Sequence, residues 1–234
     1  MTRYQHFRAI CSLGLPLILG NIAQISIGVV DTVMTGWYSV EALAALVLGS
    51  SFFFVVFILG AGFGHAVLPL VASAAAREDA VQIRRVTRMG LWLSIIYSTG
   101  VFSLFWGSEF VFIALGQDLI LAGLAQNYLR ILSFGLIPAL VVLVLKNYLA
   151  ALELTQVVLV ISVAALLLNI PLNYLLIFGK YGAPELGVGG AAWASLAVHL
   201  LSALAIAFYA WWRLPDHKLF LRFWRPDWGI FSKL

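Results

Sequence analysis

Charged residues and cysteines are scarce in this sequence. Asp, Glu, Lys and Arg make up 10% of the 234 residues, well below the roughly 25% of a typical soluble domain. Hydrophobic residues make up 63%, and the mean hydropathy is +1.02. The one cysteine, Cys11, cannot form a disulfide within the chain, so nothing in the sequence indicates an oxidising compartment. The composition excludes a soluble domain and indicates an integral membrane protein.

Several signatures of enzymes and ATP-driven pumps are also missing. The sequence has no His-Glu-x-x-His motif, no phosphate-binding P-loop, no Gly-x-Ser-x-Gly elbow and no Cys-x-x-Cys pair. We therefore expect neither a membrane-embedded hydrolase, an ATP-driven pump nor a redox enzyme, and no bound organic cofactor. The net charge of +4 does not predict a nucleic-acid partner, because basic residues in the loops of a membrane protein set its orientation.

The apolar residues form long stretches rather than an alternating pattern. Alternation is typical of transmembrane β-barrels, whereas continuous runs of about 20 residues predict membrane-spanning helices. We predict an all-α polytopic membrane protein with six transmembrane helices in residues 1–213, followed by a cytoplasmic connector at 214–234. The predicted spans cover about residues 10–34, 43–72, 89–115, 127–149, 157–178 and 190–212.

Basic residues predict the orientation of these spans. Twelve of the fourteen Lys and Arg residues fall on one side, and only Arg130 and Lys180 fall on the other. Because basic loops stay in the cytoplasm, both termini are predicted to be cytoplasmic, which agrees with an even number of spans. The segment Arg77–Arg88 is interpreted as a solvated loop. Lys146 and Glu153 are interpreted as cytoplasmic anchors beside the turn between spans four and five.

An aspartate interrupts the first predicted span. Asp31 lies in the stretch NIAQISIGVVDTVMTG, and an ionisable residue inside a membrane span costs roughly 3 kcal/mol on insertion scales. Such a residue by default faces a protein interior or a watery cavity. Polar or small residues recur around it at alternating intervals of three and four, which places them on one helical face. They are Asn21, Gln24, Gly28, Asp31 and Thr35. We therefore predict that Asn21, Gln24 and Thr35 line a cavity.

Span five carries two asparagines four residues apart, Asn169 and Asn173. They share a helical face, and Pro171 between them removes a backbone hydrogen bond and is expected to bend the helix. At a rise of about 1.5 Å per residue, Asp31, Asn173 and Ser195 each lie about 8 to 9 Å from the same predicted interface. Asn169 lies one turn deeper. Spans one, five and six are therefore predicted to converge at this depth.

This set of side chains allows two interpretations. A carboxylate beside amide and hydroxyl oxygens suits a proton or a small hard cation such as Na⁺, which favours oxygen ligands. Binding of either ion is linked to the charge of the aspartate. Alternatively, Asp31 joins a hydrogen-bond network that holds the helices together. The first interpretation is favoured for Asp31, since a buried carboxylate is a costly way to join helices. For the two asparagines and Ser195 alone, the two interpretations are balanced.

Small and ring-bearing residues give weaker indications. Gly60 and Gly64 form a GxxxG pair, which is typical of close helix packing. Pro16 is a further position at which a helix is expected to bend. His65 and His199 lie within spans without a second metal ligand at helical spacing, and are interpreted as packed or water-facing histidines.

Two stretches of the chain carry specific motifs, namely GLPLILGNIAQISIGVVDTVMTG at 14–36 and NIPLNYLLIFGKYGAPELGVGGAAWAS at 169–195. Both resemble the multidrug and toxic compound extrusion (MATE) family, especially its NorM-like branch. The resemblance implies secondary active efflux of amphipathic, often cationic drugs and dyes across a bacterial inner membrane, driven by Na⁺ or H⁺ as the coupling ion. It implies cation or proton binding at Asp31, Asn169, Asn173 and Ser195, with Na⁺ possible at the first three. Some members carry an aspartate where this chain has Asn173.

Length separates this chain from the family that it resembles. Family members have about twelve helices in two six-helix lobes around a central cavity, and this chain supplies the first lobe. The resemblance therefore implies a second six-helix lobe as a partner, in the same full-length protein or in another half, besides membrane lipid. Two alternatives stay open: a flippase for a lipid-linked oligosaccharide, and a half-length remnant that does not transport. Lys and Arg are almost absent from the predicted spans, which counts against the flippase.

Overall fold

The fold was analysed in a computed structural model that describes the backbone of residues 3–219 and of Gly229, with side chains from residue 11 onward. Seven α-helices run through this part of the chain, and short segments connect them. Their bounds are α1 Arg3–Tyr38, α2 Val40–Ala75, α3 Ala80–Trp106, α4 Ser108–Ala114, α5 Leu119–Ala151, α6 Thr155–Phe178 and α7 Val188–Arg213. Single 3-10 turns lie at Lys180–Gly182 and Pro215–His217.

Six of these helices are long and apolar enough to cross a membrane. The exception is α4, which has 7 residues. No strand occurs in the part of the chain that the structure describes. The prediction of an all-α polytopic protein with six transmembrane helices is therefore confirmed. The cytoplasmic position of both termini stays a prediction.

The third span begins and ends earlier than predicted. The Asp79 carboxylate accepts a hydrogen bond from the backbone N–H of Gln82 at 2.9 Å, and α3 begins at the residue after this cap. Most of the segment Arg77–Arg88 is therefore the start of a helix, so its interpretation as a loop was wrong. At the other end α3 stops at Trp106, and Gly107 separates it from α4. The apolar pattern continues across this glycine, which is why the predicted span did too.

Helix α5 lies at the centre of the bundle. It packs against α2, α3 and α7. Its inward-facing side chains include five fully buried leucines, namely Leu129, Leu136, Leu140, Leu145 and Leu149. Lipid is as apolar as leucine, so the hydrophobic effect alone does not hold such helices together, and tight van der Waals packing has to contribute.

Two glycines of α2 allow this close packing. A Cβ at Gly60 would lie 2.5 Å from the ring of Tyr97 on α3, and a Cβ at Gly64 would lie 2.8 Å from the Leu143 side chain on α5. Both glycines are buried. The GxxxG pair thus lies on a packing face between α2 and its neighbours.

Helices α1, α6 and α7 pack against one another at one side of the bundle. Helix α1 packs along α6, and α6 packs on α7. Gly190 in the first turn of α7 lies so close to α6 that a Cβ there would overlap the carbonyl oxygen of Leu176. Pro16 and Pro171 lie inside the uninterrupted helices α1 and α6, and the bend expected at each stays a prediction.

The segment after α7 folds back onto the bundle. The Tyr148 hydroxyl and His217 Nδ1 are 2.6 Å apart, and Leu219 is buried. Burial lowers the pKa of His217, and the carboxylate of Asp216 acts in the opposite direction. The rest of the predicted connector, at 220–228 and 230–234, lies outside the described residues.

Candidate functional site

A buried carboxylate lies where α1, α6 and α7 meet. Asp31 is only 6% exposed, although it lies on a helix that also carries many exposed apolar side chains. Asn169 and Asn173 of α6 are 0% exposed, and Ser195 of α7 is also buried. We call these four residues the Asp31 cluster. The structure thus brings together the four residues for which the depth comparison predicted convergence.

Hydrogen bonds connect the members of the Asp31 cluster directly. The amide nitrogens of Asn169 and Asn173 donate to Asp31 Oδ1 at 3.0 and 2.6 Å. The Ser195 hydroxyl donates to Asp31 Oδ2 at 2.7 Å. The nitrogen of Asn173 also donates to Asn169 Oδ1 at 2.9 Å. Three donors from two helices therefore stabilise the carboxylate, and hydrogen bonds to a charged group are stronger than neutral ones.

Two buried side-chain oxygens, one on α6 and one on α1, lack a partner among the described residues. Asn173 Oδ1 and Thr35 Oγ1 are both buried and accept no hydrogen bond from the described part of the chain. Buried polar atoms are normally paired, so an unpaired acceptor at such a place calls for an explanation. Carboxylate and amide oxygens are the type of ligand that a hard cation prefers, and Asp31, Asn169 and Asn173 bring such oxygens together.

Thr35 differs from the prediction in its surroundings. It was predicted to line a cavity, but it is 0% exposed and lies one turn beyond Asp31, inside the helix packing. The prediction was wrong because helical spacing gives the face of a helix and not what covers that face. Asn21 and Gln24, by contrast, do line a cavity.

Two adjoining cavities open beside the Asp31 cluster. One has a volume of about 380 Å³ and the other about 260 Å³. They share part of their wall, namely Gln24, Gly28, Phe53, Phe54 and His199. Asp31 and Ser195 line the smaller cavity, and Lys146 lines the larger one. The carboxylate is therefore accessible from a cleft with aromatic walls.

Lys146 lies inside the bundle rather than at a cytoplasmic surface. Its Nζ donates a hydrogen bond to Gln24 Oε1 at 2.8 Å, which joins the central helix α5 to α1. The interpretation of Lys146 as a cytoplasmic anchor was therefore wrong. The predicted fourth span, 127–149, already contained this lysine, and that was the signal that could have identified it.

His199 is a second cavity residue, in agreement with its interpretation as a packed or water-facing histidine. It lies four residues after Ser195 on α7 and therefore on the same face. Its Nδ1 is buried and has no partner in the described part of the chain. His65, the other intramembrane histidine, is exposed on α2.

A hydrogen bond closes the end of the bundle nearest the Asp31 cluster. The Tyr38 hydroxyl, at the last residue of α1, donates to Glu185 Oε1 at 2.9 Å in the segment before α7. Gly187 has φ +54°, and a Cβ there would lie 3.0 Å from the Tyr38 ring. The end of α1 is thus connected to the segment before α7, about two helical turns beyond Asp31.

Comparison with known proteins gives one family. The MatE family model matches residues 16–175. The chain is 42% identical over 233 residues to a probable multidrug resistance protein NorM of Rhizobium meliloti, covering 98% of this chain and 50% of that protein. It is 33% identical to a protein of the same name in Neisseria meningitidis serogroup A, over 97% of this chain and 50% of that one. The chain thus spans about half the length of these curated relatives.

Solved structures show the same fold. An outward-facing multidrug resistance MATE family transporter of the MOP superfamily superposes with a TM-score of 0.85 at 24% identity, covering 96% of this chain and 49% of that one. A eukaryotic MATE transporter gives a TM-score of 0.85 at 20% identity, covering 92% and 48%. Each likeness covers about half of the solved structure, and it shows that this chain shares the fold of that half.

Proposed function

Because this chain belongs to the MatE family, we propose that it forms one six-helix lobe of a secondary active multidrug efflux transporter. The transporter would exchange amphipathic, often cationic compounds for Na⁺ or H⁺ across the bacterial inner membrane. The observation that carries the proposal is the buried Asp31 carboxylate, hydrogen-bonded to α6 and α7 beside an aromatic cleft. A second six-helix lobe would cover the cleft, since the relatives are about twice as long as this chain.

Cation binding at Asp31 would act on the contacts between helices. In the observed arrangement the asparagine amides and the Ser195 hydroxyl direct their hydrogens toward the carboxylate. A bound proton or Na⁺ would neutralise the carboxylate and so weaken its hydrogen bonds to these donors. Na⁺ would in addition require oxygen atoms at the positions where the donors now lie. The three helices would then pack differently with and without the cation. A ligand shifts a conformational equilibrium only by its different affinity for the two states, and this rearrangement supplies such a difference.

Na⁺ has oxygen ligands available in the Asp31 cluster. Asn173 Oδ1 has no partner within the described residues, and Asp31 provides the charge. H⁺ needs only the carboxylate and one acceptor, and the Ser195 hydroxyl oxygen, 2.7 Å from Asp31 Oδ2, would be that acceptor. The second carboxylate found in some family members is replaced by Asn173, so a single site charge is available to either ion.

The test is dye efflux by the protein that carries this chain together with its second lobe. In cells expressing the Asp31→Asn variant, a cationic dye such as ethidium should accumulate as in cells without the transporter, because the variant has no charge to bind the cation. The matched control is Asp216→Asn, which makes the same change at an exposed aspartate and should leave efflux intact. If Asp31→Asn retained efflux and its dependence on the cation gradient, the proposal would fail.

Expression of the 234 residues alone tests the alternative that this half does not transport. Efflux above the background of empty cells would exclude a non-transporting remnant. Efflux that appears only when a second six-helix lobe is expressed would support one lobe of a two-lobe transporter.

A further inference from the structure

The larger cavity contains a lysine without a carboxylate partner. Lys146 Nζ has three hydrogens, and Gln24 Oε1 accepts one of them at 2.8 Å. No Asp or Glu lies within ion-pair distance of Lys146 in the part of the chain whose side chains are described. A lysine inside a membrane bundle is costly, and such residues normally pair with an anion or mark a ligand pathway. Lys146 therefore has unused capacity to bind an anion.

His199 lies on the wall of the same cavity. The imidazole ring, which can donate or accept a hydrogen bond, lines both cavities, and its Nδ1 is buried and has no partner in the described part of the chain. Asn21 and Gln24 add amide groups on α1. The polar groups are thus concentrated around Lys146 on α1, α5 and α7.

The opposite wall of the cavity is aromatic. Phe53, Phe54 and Phe57 of α2 line it, and Phe54 is 60% exposed. Aromatic rings supply a large apolar contact area in a binding site. A ligand with a flat apolar body and one charged end would therefore match both walls. The volume of about 380 Å³ lies within the range of small-molecule sites.

We propose that Lys146, with Gln24 and His199, forms a subsite for the carboxylate of amphipathic aromatic compounds, whose apolar body packs against Phe53, Phe54 and Phe57. This inference deepens the proposed function and rests on it, since it assumes that the cleft is the path of the transported compounds. It assigns to Lys146, on the central helix α5, the discrimination between compounds with and without a carboxylate. A carboxylate completes the hydrogen bonding of Lys146, and a charge-assisted bond of this kind is stronger than one to a neutral group.

A pair of fluorescent probes tests the subsite. Pyrenebutyrate and pyrenebutanol share the aromatic body and differ in the carboxylate. The purified chain would be placed in nanodiscs of phosphatidylcholine, which carries no net charge. Energy transfer from tryptophan to pyrene would report binding, with empty nanodiscs subtracted. Since hydrogen bonds to charged groups contribute about 1.5 kcal/mol or more, pyrenebutyrate should bind on the order of tenfold more tightly than pyrenebutanol.

Three variants of the chain make the test specific. Lys146→Gln removes the charge and should abolish the preference for pyrenebutyrate, whereas Lys146→Arg should retain it. The matched control, Lys180→Gln, makes the same change at an exposed lysine and should retain the full preference. Gln24→Glu keeps Lys146 in place but gives it a carboxylate within the protein, and should abolish the preference without loss of a buried contact. This variant decides the question if Lys146→Gln does not fold.

Equal binding of the two probes by the unmodified chain would overturn the proposal, and so would a preference that survives in Lys146→Gln and Gln24→Glu. The assay uses no ion gradient and no transport. Failure of the subsite can therefore be distinguished from failure of the proposed antiport, which Asp31→Asn tests by efflux.

Discussion

Replacement of Ser195 by alanine removes one of the three donors to Asp31. The Ser195 hydroxyl donates to Asp31 Oδ2 at 2.7 Å, while the other oxygen receives both asparagine amides. Hydrogen bonds between helices in membranes average about 0.6 kcal/mol and reach about 1.7 kcal/mol. A short bond to a carboxylate belongs at the upper end of this range. We expect Ser195→Ala to lower the free energy of unfolding by about 1.5 kcal/mol.

The second half of this prediction concerns the charge. In an Asp31→Asn background the same hydroxyl bonds to a neutral amide oxygen, which is worth about 0.5 kcal/mol. The double-mutant cycle should therefore give a coupling energy of about 1 kcal/mol between the two positions. Unfolding of the purified chain in SDS, followed by tryptophan fluorescence, measures all four states. Ser202→Ala, at another buried serine of α7, is the control and should show no coupling to Asp31. Additive effects of Ser195→Ala and Asp31→Asn, within about 0.3 kcal/mol, would refute the reasoning.

Three further predictions concern packing, pH and the cleft. Gly190→Ala should lower the free energy of unfolding by about 1 to 3 kcal/mol, because the added methyl group overlaps the carbonyl of Leu176. The SDS titration measures this change, and an unchanged midpoint would contradict the packing described. Burial lowers the pKa of His217, so its contact with Tyr148 should be fully present above about pH 6.5 and weaken as the pH falls below the ordinary histidine range. Hydrogen exchange at residues 214–219 should accordingly increase more between pH 7.5 and 5 than chemical exchange alone predicts. Phe54→Ala should weaken pyrene-probe binding about tenfold and change stability by less than about 0.5 kcal/mol, because this side chain is 60% exposed.

The Asp31 cluster could be predicted because depth in a membrane can be counted along the sequence. Each of its helices ends at an interface within a few residues of a turn, so a rise of about 1.5 Å per residue places Asp31, Asn173 and Ser195 at one level. A costly carboxylate then has few partners at that level. The predicted ends of these spans thus contain enough information to locate this part of the site.

The Lys146 contact could not be found in the same way. It depends on how α5 is rotated and on which face of α1 it meets, and neither is set by depth. The apolar composition of α5 gave no clear preferred face, since most of this central helix is buried all round. Charge counting then led to the interpretation of this lysine as a cytoplasmic anchor at the end of the fourth span.

The start of α3 was missed for a local reason. Charged residues fill the stretch after Arg77, and hydropathy alone treats such a stretch as a loop. The Asp79 cap and the helix-forming residues that follow it are compatible with charge, so the helix extends beyond the apolar region.

Thr35 was missed for a different reason. It shares a helical face with Asp31, yet neighbouring helices cover it completely.

The central claim is that Asp31 binds the coupling cation, and an imposed gradient tests it most directly. The complete two-lobe transporter would be reconstituted in vesicles that contain a cationic dye, and dye release would be followed after a Na⁺ or H⁺ gradient is applied from outside. At least one of the two gradients should accelerate release by the unmodified protein, and neither should accelerate release by Asp31→Asn. Acceleration of equal size in Asp31→Asn would contradict the claim.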